Sequence, residues 1–164
     1  MIPQLVVLAG PNGAGKSTFY DAFLSESPLP FLNADLFAAE TGVDSLEAAR
    51  ILDATRARFI DERLGFSTET VFSDPHGAKL AMLRQAVEAG YEVTLIYIGV
   101  ASAALINLAA AIGFVPVVEL YDNSSAAEPY RPVATFRAGA LASRMKGALP
   151  RWARGIVPAA RRRR

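Results

Sequence analysis

Nine consecutive residues, Gly10-Pro11-Asn12-Gly13-Ala14-Gly15-Lys16-Ser17-Thr18, have the make-up of a phosphate cradle. Gly10, Gly15, Lys16 and Ser17 stand at the spacing of the Walker A pattern. Glycines let a backbone close around an anion with successive N–H groups turned inward. A helix that follows adds its positive end. Lys16 is spaced to reach β- and γ-phosphates, and the Ser17 hydroxyl to ligate Mg²⁺. The chemistry this points to is binding of ATP or GTP.

A phosphoryl donor needs an acceptor and a base. Asp35, in Asn33-Ala34-Asp35, is a candidate to take the proton of an attacking hydroxyl; the competing reading is a helix N-cap for a segment starting at Leu36. Glu69, in Thr68-Glu69-Thr70, sits in an otherwise apolar run, where a carboxylate needs partners. It is a candidate to bond an acceptor or, through water, Mg²⁺; a surface strand glutamate is the plainer alternative. His76, the one histidine, has no companion ligand and reads as a loop residue, and Trp152 reads as packing or tail.

These residues need a frame that gathers them. Gln4–Ala9 reads as a buried strand and Lys16–Leu24 as a helix. Phe31–Asn33 reads as a short strand, and a helix opens at Ser45 with Ala48, Ile51, Leu52, Phe59 and Ile60 on one face. Phe66–Phe72 reads as a strand, Ala78–Ala89 as a helix stopped by Gly90, and Tyr91–Ile98 as a strand. Ser102–Ile112 reads as a helix and Val115–Tyr121 as a fifth strand, with a further helix around Thr135–Lys146. Strands alternating with helices imply parallel βαβ units. The expected fold is α/β: a P-loop NTPase-type three-layer αβα arrangement with a mainly parallel sheet of about five strands. In such sheets ligands gather at the carboxyl ends of the strands, where the cradle, Asp35 and Glu69 all fall. Residues 1–125 form the expected core, and 126–164 a helical segment and a basic, disordered tail.

The chain of 164 residues is sized for one domain and has no cysteine, so disulfides and thiolate metal sites are excluded. No secretory signal is legible, which makes the cytoplasm the expected compartment. Residues 1–128 carry 7 basic and 16 acidic side chains, whereas 129–164 carry 10 basic and none acidic. The basic end reads as a solvated terminus; with no aromatic-interleaved groove, a nucleic-acid partner is not favoured. Val93–Val118 is 26 residues without a charge, long enough to span a bilayer. Its Gly, Asn and Pro interruptions and its change from β-branched to alanine-rich and back favour strand, helix, strand instead.

With Gly10–Thr18, Asn33-Ala34-Asp35, Ser67-Thr68-Glu69-Thr70 and Tyr121-Asp122-Asn123-Ser124 in this order, the chain resembles the zeta-toxin-type kinases over residues 2–125. The resemblance implies phosphorylation of a small acceptor at the expense of ATP or GTP with Mg²⁺. For characterised toxins the acceptor is the 3′-hydroxyl of UDP-N-acetylglucosamine, a nucleotide sugar, and an antitoxin blocks the nucleotide site. By that likeness Lys16 binds phosphate, Asp35 is the base, Glu69 and Thr70 hold the acceptor, and Asn123 lies near the nucleobase.

The chain also departs from that pattern. Members usually carry a lid after the fourth strand, with a Gly-Gly-His stretch and arginines, and those arginines clamp the transferring phosphoryl group. Here Ile98 runs through Gly99-Val100-Ala101-Ser102 to Asn107-Leu108 without a charge. Arginine contacts of that kind are worth about 10³–10⁵ in rate in phosphoryl-transfer enzymes. Two functions therefore follow as expectations: a small-molecule kinase with Asp35 as base, or a nucleotide-binding module that turns over weakly. Arg131, Arg137 and Arg144 are the candidate substitutes for the clamp.

Overall fold

The computed structural model of the protein describes residues 1–72, 77–100 and 106–158. Its frame is a seven-stranded sheet in the order β2-β3-β1-β4-β5-β6-β7. The strands are β1 (Gln4–Ala9), β2 (Phe31–Leu32), β3 (Phe66–Thr70), β4 (Glu92–Gly99), β5 (Val117–Asp122), β6 (Arg131–Arg137) and β7 (Ala140–Arg144). The helices are α1 (Lys16–Phe23), α2 (Ala34–Thr41), α3 (Ser45–Asp61), α4 (Ala78–Glu88) and α5 (Ile106–Ile112). A 3-10 turn at Arg151–Gly155 completes the chain's regular elements.

The first five strands run parallel, and β1 lies between β3 and β4. A central parallel strand is covered on both faces, which is why Leu5 to Ala9 is unbroken apolar sequence. Leu5, Val7 and Ala9 turn to one face, where they join Ile60 of α3, Leu83 of α4, Leu108 of α5 and Trp152 in the main core. Leu8 turns to the other, packing with Phe19 of α1 and with Ile96 and Ile98. The three-layer αβα arrangement follows, with α1 covering its own side. Aromatic contacts fix that short helix. Phe19 meets Tyr121 and Tyr130 at centroid distances of 5.2 and 5.3 Å, and Tyr20 stacks on Phe31 at 3.7 Å.

Local signals set the helix starts. Asn33 caps α2, its Oδ1 accepting from the amides of Asp35 (2.9 Å) and Leu36 (3.1 Å). Asp44 caps α3 in the same way, bonding Leu46 N and Glu47 N. Along α3 the buried positions are Ala48, Leu52, Arg56 and Ile60, a strict four-residue step. One of the four, Arg56, is charged.

The last third differs from expectation. The helix expected over Thr135–Lys146 is instead an antiparallel hairpin, β6 on β5 and β7 on β6, which raises the strand count from five to seven. Ala138 and Gly139 turn the hairpin with φ of 47° and 78°, the doubly positive geometry of a two-residue primed turn. Alanine is not the usual residue there, so the turn signal is weak. Register shifts at Leu120/Tyr121 and Thr135/Phe136 also break the alternation, leaving Val133 and Ala134 buried side by side. Of the helix expected over Ser102–Ile112, α5 is the described part; residues 101–105 lie outside the described residues, as do 73–76, with His76, and 159–164. Among the described residues no helix is long and apolar enough to cross a membrane.

Candidate active site

The Gly-rich loop leaves β1 between its two neighbours. Gly10 N donates to Thr70 O of β3 at 3.3 Å. On the other side a Cβ at Gly10 would lie 2.5 Å from Ile98 O of β4. The loop is therefore squeezed between two backbones, and only glycine fits its first position. Gly15, at φ 85°, hands the chain to α1.

Lys16 is buried. Its Nζ donates to Pro11 O at 3.1 Å, curling the side chain back over the loop. The same Nζ lies 3.5 Å from Glu69 Oε1. Glu69 is the register partner of Leu8, so it reaches the carboxyl end of the sheet beside the loop. Its Oε2 accepts from Asn33 Nδ2 at 3.2 Å and stands 3.5 Å from Ser17 Oγ. Glu69 is thus in contact range of both Lys16 and Ser17.

Asp35 is not the cap of α2. The capping role falls to Asn33, and the exposed Asp35 carboxylate has no hydrogen bond or ion pair among the described residues. A pocket of about 430 Å³ is lined by Asn12, Gly13, Gly15, Lys16, Ser17, Thr18, Asp35 and Glu69. A second cleft, of about 360 Å³, runs from Asn33 and Thr70 to Asp53, Arg56 and Lys79. Asn12, Asp35 and Glu69 line both. The geometry is that of two chambers meeting at a pair of carboxylates.

Behind the loop a second layer of bonds braces it. Asn123 Nδ2 donates to Ala14 O at 2.9 Å, and Asn123 Oδ1 accepts from Tyr130 N at 3.3 Å. Tyr130 Oη donates to Gly15 O at 2.8 Å. A Cβ at Gly15 would stand 2.7 Å from both Asn123 Nδ2 and Tyr130 Oη, so the brace needs glycine there. Next to Asn123, the buried Asp122 accepts from Trp152 Nε1 (2.8 Å) and Ser124 Oγ (2.7 Å) and pairs with Arg131 (3.0 Å). Burial alone would raise the Asp122 carboxyl, but the bonds from Trp152, Ser124 and Arg131 outweigh it and hold the group below the usual carboxylate range.

Sequence reasoning missed Arg56, Asp53, Lys79 and Tyr130. Only Arg56 carried a signal, a cation at a buried step of an apolar helix face. Its guanidinium pairs with Asp53 at 2.6 Å; burial lowers its pKa while Asp53 works the other way. Of the candidate clamp arginines, Arg131 is engaged with Asp122 and Glu128, and Arg144 with the carbonyls of Gly147 and Pro158. Arg137 pairs with Val117, at the end of the sheet away from the site. None of the three lines either chamber. Among the described residues no group of three or more His, Cys, Asp or Glu side chains could hold a metal ion by itself.

No protein-family model and no curated protein sequence matches the chain. Solved structures do. A chain of the AvrRxo1-ORF1:AvrRxo1-ORF2 complex with sulphate ions matches with a TM-score of 0.58 and 14% identity, over 86% of this chain and 60% of that one. The same complex with ATP matches at 0.57 and 15%, with the same coverage. The PezAT chromosomal toxin-antitoxin system of Streptococcus pneumoniae matches at 0.55 and 15%, over 82% of this chain and 71% of that one. The chain shares the fold of these structures. This chain spans about three fifths of the AvrRxo1 chains it matches.

Proposed function

We propose that the protein is a small-molecule kinase of the zeta-toxin type, moving the γ-phosphoryl group of ATP or GTP to an alcohol. The observation that carries this is the meeting of two chambers at Asp35 and Glu69. One chamber is the phosphate cradle, with Lys16 for the β- and γ-phosphates. The other is large enough for the hydroxyl-bearing part of an acceptor. In the reaction the acceptor oxygen bonds the γ-phosphorus as the bond to the β-phosphate oxygen breaks. The hydroxyl proton passes to the Asp35 carboxylate, and the nucleoside diphosphate leaves. Asp35 suits this role because its carboxylate is unengaged among the described residues and lines both chambers.

Mg²⁺ fits the residues present: Ser17 Oγ and the Glu69 carboxylate are hard oxygens held 3.5 Å apart beside the cradle. When bound it would supply charge neutralisation between the terminal phosphates. Glu69 and Thr70 serve the acceptor in this reading, and a nucleotide sugar such as UDP-N-acetylglucosamine is the acceptor to try first. Asn123 contributes to the nucleotide side by holding the loop at Ala14, next to where a base would lie. The PezAT structure is of a toxin-antitoxin system, and a protein inhibitor covering the nucleotide pocket is the matching proposal for this chain.

The test is a comparison of wild type with Asp35→Ala, using ATP, Mg²⁺ and a panel of sugar nucleotides, read by product mass. Phosphorylated product should fall by about 10²–10⁴-fold, while ATP affinity by calorimetry stays the same. Equal product formation by the two proteins would overturn the assignment.

A further inference from the structure

We infer that Arg56 is a positioning residue for the acceptor half of the site, holding Asn33, Asp35 and Glu69 in register by clamping the last rung of the β2–β3 ladder. The inference rests on the reading of Asp35 and Glu69 given above.

The need for a clamp lies in β2. It is an edge strand of two residues, Phe31 and Leu32, paired to β3 alone through Phe31↔Ser67 and Leu32↔Thr68. So short a strand has few ladder bonds to fix its angle or height. Yet it carries the residues of the site that come next in the chain, Asn33 and then Asp35.

Arg56 supplies what the strand lacks. It reaches the rung from α3, buried to 6% exposure. Nε donates to Thr68 Oγ1 at 2.8 Å, and one terminal nitrogen to Leu32 O at 3.3 Å. Thr68 Oγ1 donates in turn to Leu32 O at 2.7 Å, closing a triangle across the two strand ends. The other terminal nitrogen pairs with Asp53, whose same oxygen lies 3.0 Å from Lys79 Nζ. The guanidinium is therefore held on one side by α3 and α4 and holds the two strands on the other.

One residue beyond the triangle, Asn33 Nδ2 meets Glu69 Oε2. The same Asn33 side chain, through Oδ1, fixes the amides of Asp35 and Leu36. A tilt of the rung would separate Asn33 from Glu69 and move Asp35 away from the chamber it shares with the cradle. Arginine suits the task because its planar fork presents donors in fixed directions to three acceptors; a lysine ammonium is a single point on a flexible stem. As a plain stabiliser a buried guanidinium compares poorly with an apolar side chain of its size. Directional bonding is its distinctive contribution.

Arg56→Lys keeps the charge and loses the fork. In this variant kcat for the acceptor reaction should fall about 10- to 100-fold, as expected for a displacement on the scale of an ångström. The KM and Kd for ATP should stay within about twofold, because Glu69, which touches Lys16 and Ser17, is also held on β3 by its pairing with Leu8 of β1, and what moves is Asn33 and Asp35 relative to it. Hydrogen exchange should quicken over residues 30–41 and stay unchanged over residues 4–20. Thr68→Val, which removes the bridging hydroxyl, should give the same pattern more weakly and serves if Arg56→Lys does not fold. Wild-type kcat with wild-type protection in either variant overturns the inference. So does a loss of ATP affinity and of protection over 4–20 in step with the rest, the behaviour of a merely structural residue. If wild type phosphorylates no acceptor, the kinase reading fails, and the exchange pattern still decides the clamp.

Discussion

Asp122 accepts from three side chains and is 4% exposed, so its ionised form is part of the folded structure. Because its folded pKa lies below the ordinary value, its contribution is fully present above about pH 4 and is lost as pH falls through the depressed folded value. Asp122→Asn keeps an acceptor for Trp152 but drops the charge that Arg131 faces. At neutral pH it should cost about 1.5–3 kcal/mol, the usual worth of a hydrogen bond to a charged group. The gap between variant and wild type should close in acid, below about pH 4, as measured by urea melts across pH. A gap independent of pH would show that the carboxylate charge is not what matters. Residue types at this scale were only partly legible. The glycines could be read directly, since the close approach at Gly10 and the positive φ at Gly15 demand them. Asp122 could not, because its importance lies in Trp152 and Arg131, which converge on it only after folding.

At the scale of elements, the end of β4 meets the C-terminal 3-10 turn with no room for a side chain at Gly99. The Trp152 ring lies flat against Gly99, and a Cβ there would overlap the indole. Gly99→Ala should therefore lever the turn away from the sheet, at a cost of about 1–3 kcal/mol as overpacking usually does. As Trp152 is the lone tryptophan, its emission should move to the red in the variant. An unshifted spectrum with wild-type stability would mean the turn repacks without loss. The parallel strands and their helices were legible because strong apolar runs alternate with capped, periodic segments. The hairpin of β6 and β7 was not: Ala138-Gly139 hides a turn that Asn-Gly would have announced, and two bulges scramble the alternation. Asp35 looked like a possible cap from its type alone. The cap is Asn33, two positions earlier.

For the molecule as a whole, nucleotide binding should register as stability. With MgATP at 100 times its Kd, linkage adds about 2.7 kcal/mol, or roughly 5–10 °C in Tm for a chain of this size. Lys16→Ala should lose most of that shift in a thermal melt, and a wild type that shows no shift would remove the nucleotide assignment altogether. The strand order has a consequence in time as well as in space. The cradle lies near the start of the chain, yet its walls come from much later: Thr70 on one side, Ile98 on the other, and Asn123 and Tyr130 behind. During synthesis Gly10–Thr18 leaves the ribosome before Thr70, Ile98, Asn123 and Tyr130, and stays without these supports until Tyr130 has followed. A loop made before its walls is thus finished after them, and its full brace marks a chain whose sheet has closed as far as β5.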